Sequence, residues 1–161
     1  SEITFAQLND DSFVDWKAKD NTGINFTSSF ETGYLLEGNV TSRRQAPHVF
    51  VYTKRTETGY EASGDSYVLQ NPSSCYMQAR WDFANHTNSS KYGRRQQVYR
   101  IVKDYDNTPS SLDFDSGFPV TITRNKVRGS GKSLHLFFDS EDGKDFDIYG
   151  WAIHYSDNAG M

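Results

Sequence analysis

Between residues 74 and 83 the chain reads Ser-Cys-Tyr-Met-Gln-Ala-Arg-Trp-Asp-Phe. On an extended backbone Cys75, Met77, Ala79, Trp81 and Phe83 point one way, and Tyr76, Gln78, Arg80 and Asp82 the other. An apolar period of two marks a strand with one buried face and does not fit a helix, whose period is about 3.6. The same alternation recurs over residues 48–53, 96–103, 118–126, 133–139 and 147–155, with shorter stretches at 13–16, 24–26 and 34–37. Turn-forming clusters separate them: Asn71-Pro72-Ser73, residues 85–90, residues 107–111, Gly129-Ser130-Gly131 and Glu141-Asp142-Gly143. Only residues 5–13 leave room for a helical turn or two. The pattern predicts an all-β chain, an antiparallel β-sandwich of jelly-roll-like form with about eight or nine strands. No internal repeat suggests a propeller or a β-helix.

A chain of 161 residues and 18.4 kDa is sized for one domain. Residues 1–161 are therefore read as a single unit, with 1–30 as an N-terminal extension or first strands and 156–161 as a flexible tail. Phe, Tyr and Trp number 24 against 22 Ile, Val and Leu, so the core must be built largely from rings. That aromatic content excludes a disordered chain. Trp81 belongs to the apolar face of its strand, and Trp151 shares a face with Tyr149 and Ile153. No apolar run approaches the roughly 20 residues needed to span a bilayer, which argues against a membrane partner. The start, Ser1-Glu2-Ile3-Thr4, lacks the basic and apolar regions of a signal peptide. The single cysteine, Cys75, allows neither an intrachain disulfide nor a thiolate zinc site. Glycosylation sequons stand at Asn25, Asn39, Asn85 and Asn88; about two would arise by chance in a chain so rich in Asn, Ser and Thr.

The net charge of −4 is unevenly spread. Residues 43–132 hold 14 Lys and Arg against 8 Asp and Glu, and the remainder 3 against 13. A basic middle between acidic ends suits a polyanion, or contact between copies of the chain. The basic set comprises Arg43, Arg44, Lys54, Arg55, Arg94, Arg95, Arg124, Lys126 and Arg128, and residues 124, 126 and 128 would share one face of a regular strand. No nucleic-acid module accompanies them and the chain as a whole is acidic, which argues against nucleic acid. Arg43, Arg44, Arg94, Arg95, Arg124, Lys126 and Arg128 are therefore the candidates for subunit contact.

Motifs with chemistry in them are sparse. Arg128-Gly129-Ser130-Gly131-Lys132-Ser133 ends like a phosphate-binding loop, but the required first glycine is Lys126, and Leu134 to Phe138 read as a strand where the motif needs a helix. A glycine-rich connection between strands is the simpler reading. Asp139, Glu141, Asp142, Asp145 and Asp147 crowd the turn around Gly143, and such oxygens could take calcium near Asp139, Asp142 and Asp145; the order is not that of an EF-hand, and a solvated turn is the simpler reading. No carboxylate pair has a distinctive motif, and His48, His86, His135 and His154 have no obvious Ser or Cys partner, so no catalytic residue is assigned. Flat rings on a sheet can stack on sugars; Trp16 and Tyr92, in polar surroundings, are the platform candidates.

Four stretches add a resemblance. They are Gly33-Tyr34-Leu35-Leu36 followed by Arg43-Arg44-Gln45-Ala46-Pro47; Arg55-Thr56-Glu57-Thr58-Gly59; Asn71-Pro72-Ser73-Ser74 leading into Gln78-Ala79-Arg80-Trp81-Asp82; and Asn125-Lys126-Val127-Arg128-Gly129-Ser130-Gly131-Lys132 leading into Gly143-Lys144-Asp145-Phe146 and Gly150-Trp151. Their order and spacing resemble the C-terminal region of large virion-associated structural proteins of tailed bacteriophages, of the tail or nozzle type, over most of residues 33–155. The resemblance implies a non-enzymatic structural domain, part of a longer polypeptide assembled in the bacterial cytoplasm and located in the virion. Its partners would be other virion subunits in a homo-oligomeric assembly, with no cofactor. The alternative is a carbohydrate-binding β-sandwich module for a host receptor or polysaccharide, and a third reading is a polysaccharide lyase or hydrolase. Assembly predicts flat mixed surfaces, sugar binding an open groove with exposed rings, and an enzyme a cleft with a perturbed carboxylate or histidine.

Overall fold

The computed structural model describes residues 14–17, 23–36, 42–57, 59–63, 66–99 and 119–157, with side chains described for 25–36, 42–57, 71–99 and 119–156. Within them the chain is all-β and antiparallel, with no helix. The strands are β1 (Val14–Lys17), β2 (Gly23–Asn25), β3 (Ser29–Leu35), β4 (Arg44–Lys54), β5 (Gly59–Ser63), β6 (Ser66–Gln70), β7 (Tyr76–Trp81), β8 (Gln96–Gln97), β9 (Val120–Lys126), β10 (Ser130–Gly131), β11 (Leu134–Asp139) and β12 (Asp147–Asp157). β1 pairs with β2, and β5 with β6, as small two-stranded units. The other strands form two sheets. In the first, β4 is central, with β12 along one side and β9 then β10 along the other. In the second the order is β3-β11-β7-β8.

Alternation decides which side of each strand is buried. Along β4, Val49, Val51 and Thr53 are buried while His48, Phe50 and Tyr52 are half-buried. Along β7, Met77, Ala79 and Trp81 are buried; along β11, Leu134, Leu136 and Phe138. These inward faces share one cluster, which Trp151, Ile153 and Tyr155 of β12 complete. The Trp151 ring lies 5.8 Å from both Phe138 and Phe30, linking β12 with β11 and β3. Trp81 is 1% exposed, and its indole N–H donates to the Arg128 carbonyl at 3.1 Å.

Two aromatics leave the faces that strict alternation assigns them. The strand of residues 74–83 ends at Trp81, because Asp82 and Phe83 turn with φ of 48° and 59°. The Asp82 carboxylate accepts the N–H of Lys132 at 2.7 Å and of Ser133 at 3.1 Å, and holds Lys91 in an ion pair. Phe83 is turned out of the core and stands 66% exposed. Tyr149 sits where the β12–β4 register slips between Ile148 and Gly150, so the bulge carries it outside while Trp151 stays in. β12 also runs to Asp157, into the segment expected to be loose. Of the stretch 96–103, β8 holds two residues, after which Val98 and Tyr99 are buried and donate their N–H groups to the Cys75 carbonyl. The stretch 107–111 lies outside the described residues.

Candidate functional site

The connection from β9 to β11 is the segment that looked like a phosphate loop. It crosses from the first sheet to the second and packs on Trp81. Gly129 has φ +98°, and a Cβ there would stand 2.9 Å from the indole ring, so only glycine fits this approach. The two amides a phosphate would need, those of Lys132 and Ser133, already bind the Asp82 carboxylate. A strand follows, as the sequence indicated. The loop thus closes on an anion of its own chain.

The outer face of the first sheet is built from rows of cross-strand neighbours. Lys126, His48 and His154 form one row, Arg124, Phe50 and Ala152 the next, and Ile122, Tyr52 and Gly150 the third. Lys54 and Asp147 close the face with an ion pair at 3.5 Å. The small residues Ala152 and Gly150 leave the Phe50 and Tyr52 rings half-exposed. Arg124 Nη2 lies 3.3 Å from His48 Nδ1. Partial desolvation, then the charges of Arg124, His154 and Lys126, hold the His48 imidazole below its ordinary value. Asp147 is the one carboxylate in these rows.

Around the corner, a groove of about 330 Å³ runs between the connection from β7 to β8 and the end of β9. Ala79 and Val127 contribute apolar lining, with Arg94, Arg95, Gln96, Lys126 and Arg128 around them. Of the seven subunit-contact candidates, Arg124 and Lys126 therefore share the sheet face, and Arg94, Arg95, Lys126 and Arg128 share the groove. Arg128 falls beyond the end of β9 rather than on its face. Arg43 and Arg44 are elsewhere: Arg43 donates to Ser130 Oγ at 2.8 Å, and the Arg44 guanidinium lies 5.9 Å from the Tyr155 ring centre.

The outer face of the second sheet is different. Phe83 lies against Tyr34 with ring centres 4.0 Å apart and planes tilted by 30°, and Tyr34 stacks on His135 at 4.9 Å. The Arg80 guanidinium covers Tyr92 at 4.7 Å and Phe137 at 5.2 Å while donating to Gln78 Oε1. Arg95 lies on Tyr76 at 3.6 Å and pairs with Asp139 at 2.6 Å. Of the two platform candidates, Tyr92 belongs to this face with Arg80 against its ring; Trp16 is in β1, and its side chain lies outside the described residues. Phe83, which alternation assigns to the core, stands exposed beside Tyr34.

The remaining candidates have local roles. Asp139 is held by Arg95, Glu141 by Lys144 and Tyr76, and Asp145 accepts the Phe146 N–H at 2.7 Å. Among the described residues no group of three or more His, Cys, Asp or Glu could hold a metal ion. The Cys75 thiol is buried and pushed up to about 12, by burial first and then by Asp139, so it is not a nucleophile at neutral pH. His135 is 3% exposed, and burial, with Arg80 in support, holds it below its ordinary value against the pull of Glu31.

Sequence signals for the first-sheet face existed in Arg124 and Lys126. His48, His154 and Phe50 join them only through strand pairing, which alternation within one segment does not reveal. Compared with known proteins, the chain matches no family model, no curated protein and no solved structure.

Proposed function

We propose that this chain is a non-enzymatic assembly domain that docks the cationic outer face of its first sheet onto an acidic surface of another copy. The observation that carries this reading is the face itself: the cations Lys126 and Arg124 beside His48 and His154, with half-exposed rings and a single carboxylate, Asp147, that is already paired with Lys54. Complementary charge is available in the copies, since the chain outside residues 43–132 holds 13 acidic against 3 basic residues. A patch of one kind meeting a patch of another is a heterologous contact, which closes into rings when the rotation allows. Such a contact suits the tail or nozzle of a tailed bacteriophage, the setting implied by the resemblance of residues 33–155. The repeated crossing of the chain between the two sheets supports a jelly-roll-like sandwich as the scaffold.

Reversing Arg124→Glu together with Lys126→Glu tests the reading. Light scattering at low salt should show weak association in the parent chain and none in the variant; equal association in both would contradict it. Exposed charges are screened within about 8–10 Å at physiological ionic strength, so the contact should be salt-sensitive.

A second reading, carbohydrate binding, is favoured by one feature. Phe83 is exposed on a turn of positive φ, beside a row of planar and polar groups that includes Tyr34, Arg80, Gln78 and Tyr92. Backbone in sparsely populated conformations tends to gather at binding sites. A glycan array with the parent chain and Phe83→Ala tests it: binding of a defined oligosaccharide that the variant loses would promote this reading over assembly.

A further inference from the structure

The groove of about 330 Å³ beside β9 holds more positive charge than its surroundings neutralise. Arg95 is engaged by Asp139. Arg94, Lys126 and Arg128 line the same groove, and no carboxylate among the described residues pairs with any of them. The backbone beneath these side chains is pinned. Gly93 donates its N–H to the Ala79 carbonyl at 2.7 Å, and a Cβ at Gly93 would come within 2.6 Å of that oxygen, so this wall lies directly on β7. Gln96 Nε2 donates to the Lys126 carbonyl at 3.2 Å and ties one wall to the other. The Arg128 carbonyl is held by the Trp81 indole, and the Val127 N–H by Pro47. Three cations thus rise from a rigid base around a space of ligand size.

We infer that this groove binds a phosphate group, with Arg94 and Arg128 as guanidinium forks and Lys126 as a point charge. A carboxylate would leave most of this charge unanswered. A phosphate monoester brings close to two negative charges and three acceptor oxygens, which suits two forks and an ammonium. The volume exceeds that of the phosphate alone, and Ala79 and Val127 offer apolar contact to whatever carries it. The site shares Lys126 with the docking face and takes both of its guanidinium forks, Arg94 and Arg128, from outside the rows of that face.

The experiment is a pair of titrations of the whole chain at low ionic strength, one with inorganic phosphate and one with glucose 6-phosphate, followed by calorimetry and amide NMR. Binding should shift the amides of residues 93–96 and 126–128. It should weaken by at least about tenfold in Arg94→Ser with Arg128→Ser, each fork being a charge-assisted contact. Arg124→Ser, on the sheet face, should leave it within about twofold, the scale of a surface change away from the ligand. Tighter binding of the sugar phosphate assigns the site to a phosphate on a larger carrier, and equal affinity assigns it to the free ion; both support the site. Absence of binding, shifts spread over the first-sheet face, or equal losses in the Arg124 and the Arg94/Arg128 variants would overturn it. The NMR map is read on the parent chain, so the proposal stays falsifiable if the double variant does not fold.

Discussion

The outer faces of the two sheets are built from similar residues and arranged to opposite effect. On the second sheet, Arg95 is paired with Asp139, Lys91 with Asp82 and Arg80 with Gln78, and the rings of Tyr34, Phe83, Tyr92 and Phe137 lie against one another or against guanidinium planes. On the first, Arg124, Lys126, His48 and His154 are gathered with one ion pair, Lys54–Asp147, among them. Paired planar groups hold a surface to itself. The like charges of Arg124 and Lys126 repel one another, have no carboxylate partner within the rows, and are relieved by an outside anion or acidic surface. The difference teaches that charge content alone does not locate an interaction face; what matters is how much of the charge is already answered within the fold.

The contrast can be broken by showing that either face behaves like the other. The largest effect belongs to the core beneath both. Trp81→Ala should cost about 3–5 kcal/mol in chemical denaturation, since a fully buried ring and the partner of the Arg128 carbonyl are lost together. A loss under about 1 kcal/mol would place the ring outside the core. Next is Asp82→Ala, which strands the Lys132 and Ser133 amides and frees Lys91. A loss of about 1–3 kcal/mol is expected, with association unchanged. Association that falls with it would mean that the self-contained side of the molecule also takes part in contact.

Acid should act on the second sheet in two stages. Burial keeps His135 neutral below its ordinary value of 6.5, so the unfolded chain takes up a proton there first, and stability declines as pH falls below that value. Burial alone would raise Asp82. The hydrogen bonds from Lys91, Lys132 and Ser133 and the Lys91 charge outweigh it, and hold the carboxyl below its ordinary 3.8. Its contribution is present above 3.8 and is lost as pH falls below that and through the folded value. Melting temperatures from pH 7 to pH 3 should show both declines, and His135→Gln should flatten the upper one. The smallest effect on stability is expected on the first sheet. Arg124→Glu with Lys126→Glu should change it by less than about 0.5 kcal/mol per exposed site while removing association. A large loss of stability would show these cations to be structural.

Much of this was legible in the sequence, for identifiable reasons. β4, β7, β9, β11 and β12 announce themselves because each buries one side, and burial imposes a period of two. The same rule misplaced Phe83 and Tyr149, because it assumes that a strand continues. Asp82 ends β7 through bonds to residues 50 positions away, and a bulge shifts Tyr149 against β4. The β5–β6 pairing lies outside the alternating stretches, and its local signal in the sequence is Gly64-Asp65, a turn-forming dipeptide between residues 59–63 and 66–70. For the site, Arg124 and Lys126 are visible as alternate residues. The groove was not visible, because Arg94 and Arg128 are brought together by the packing of two sheets and share no local pattern.

The central claim is that the first-sheet face is a charged contact surface for another copy of the chain. Sedimentation of the parent chain over a range of concentrations, at low and at physiological salt, tests it most directly. The account predicts association that strengthens with concentration at low salt and weakens as salt rises, because the exposed charges are screened. A chain that remains monomeric at every concentration, or one whose association grows with salt, would contradict it.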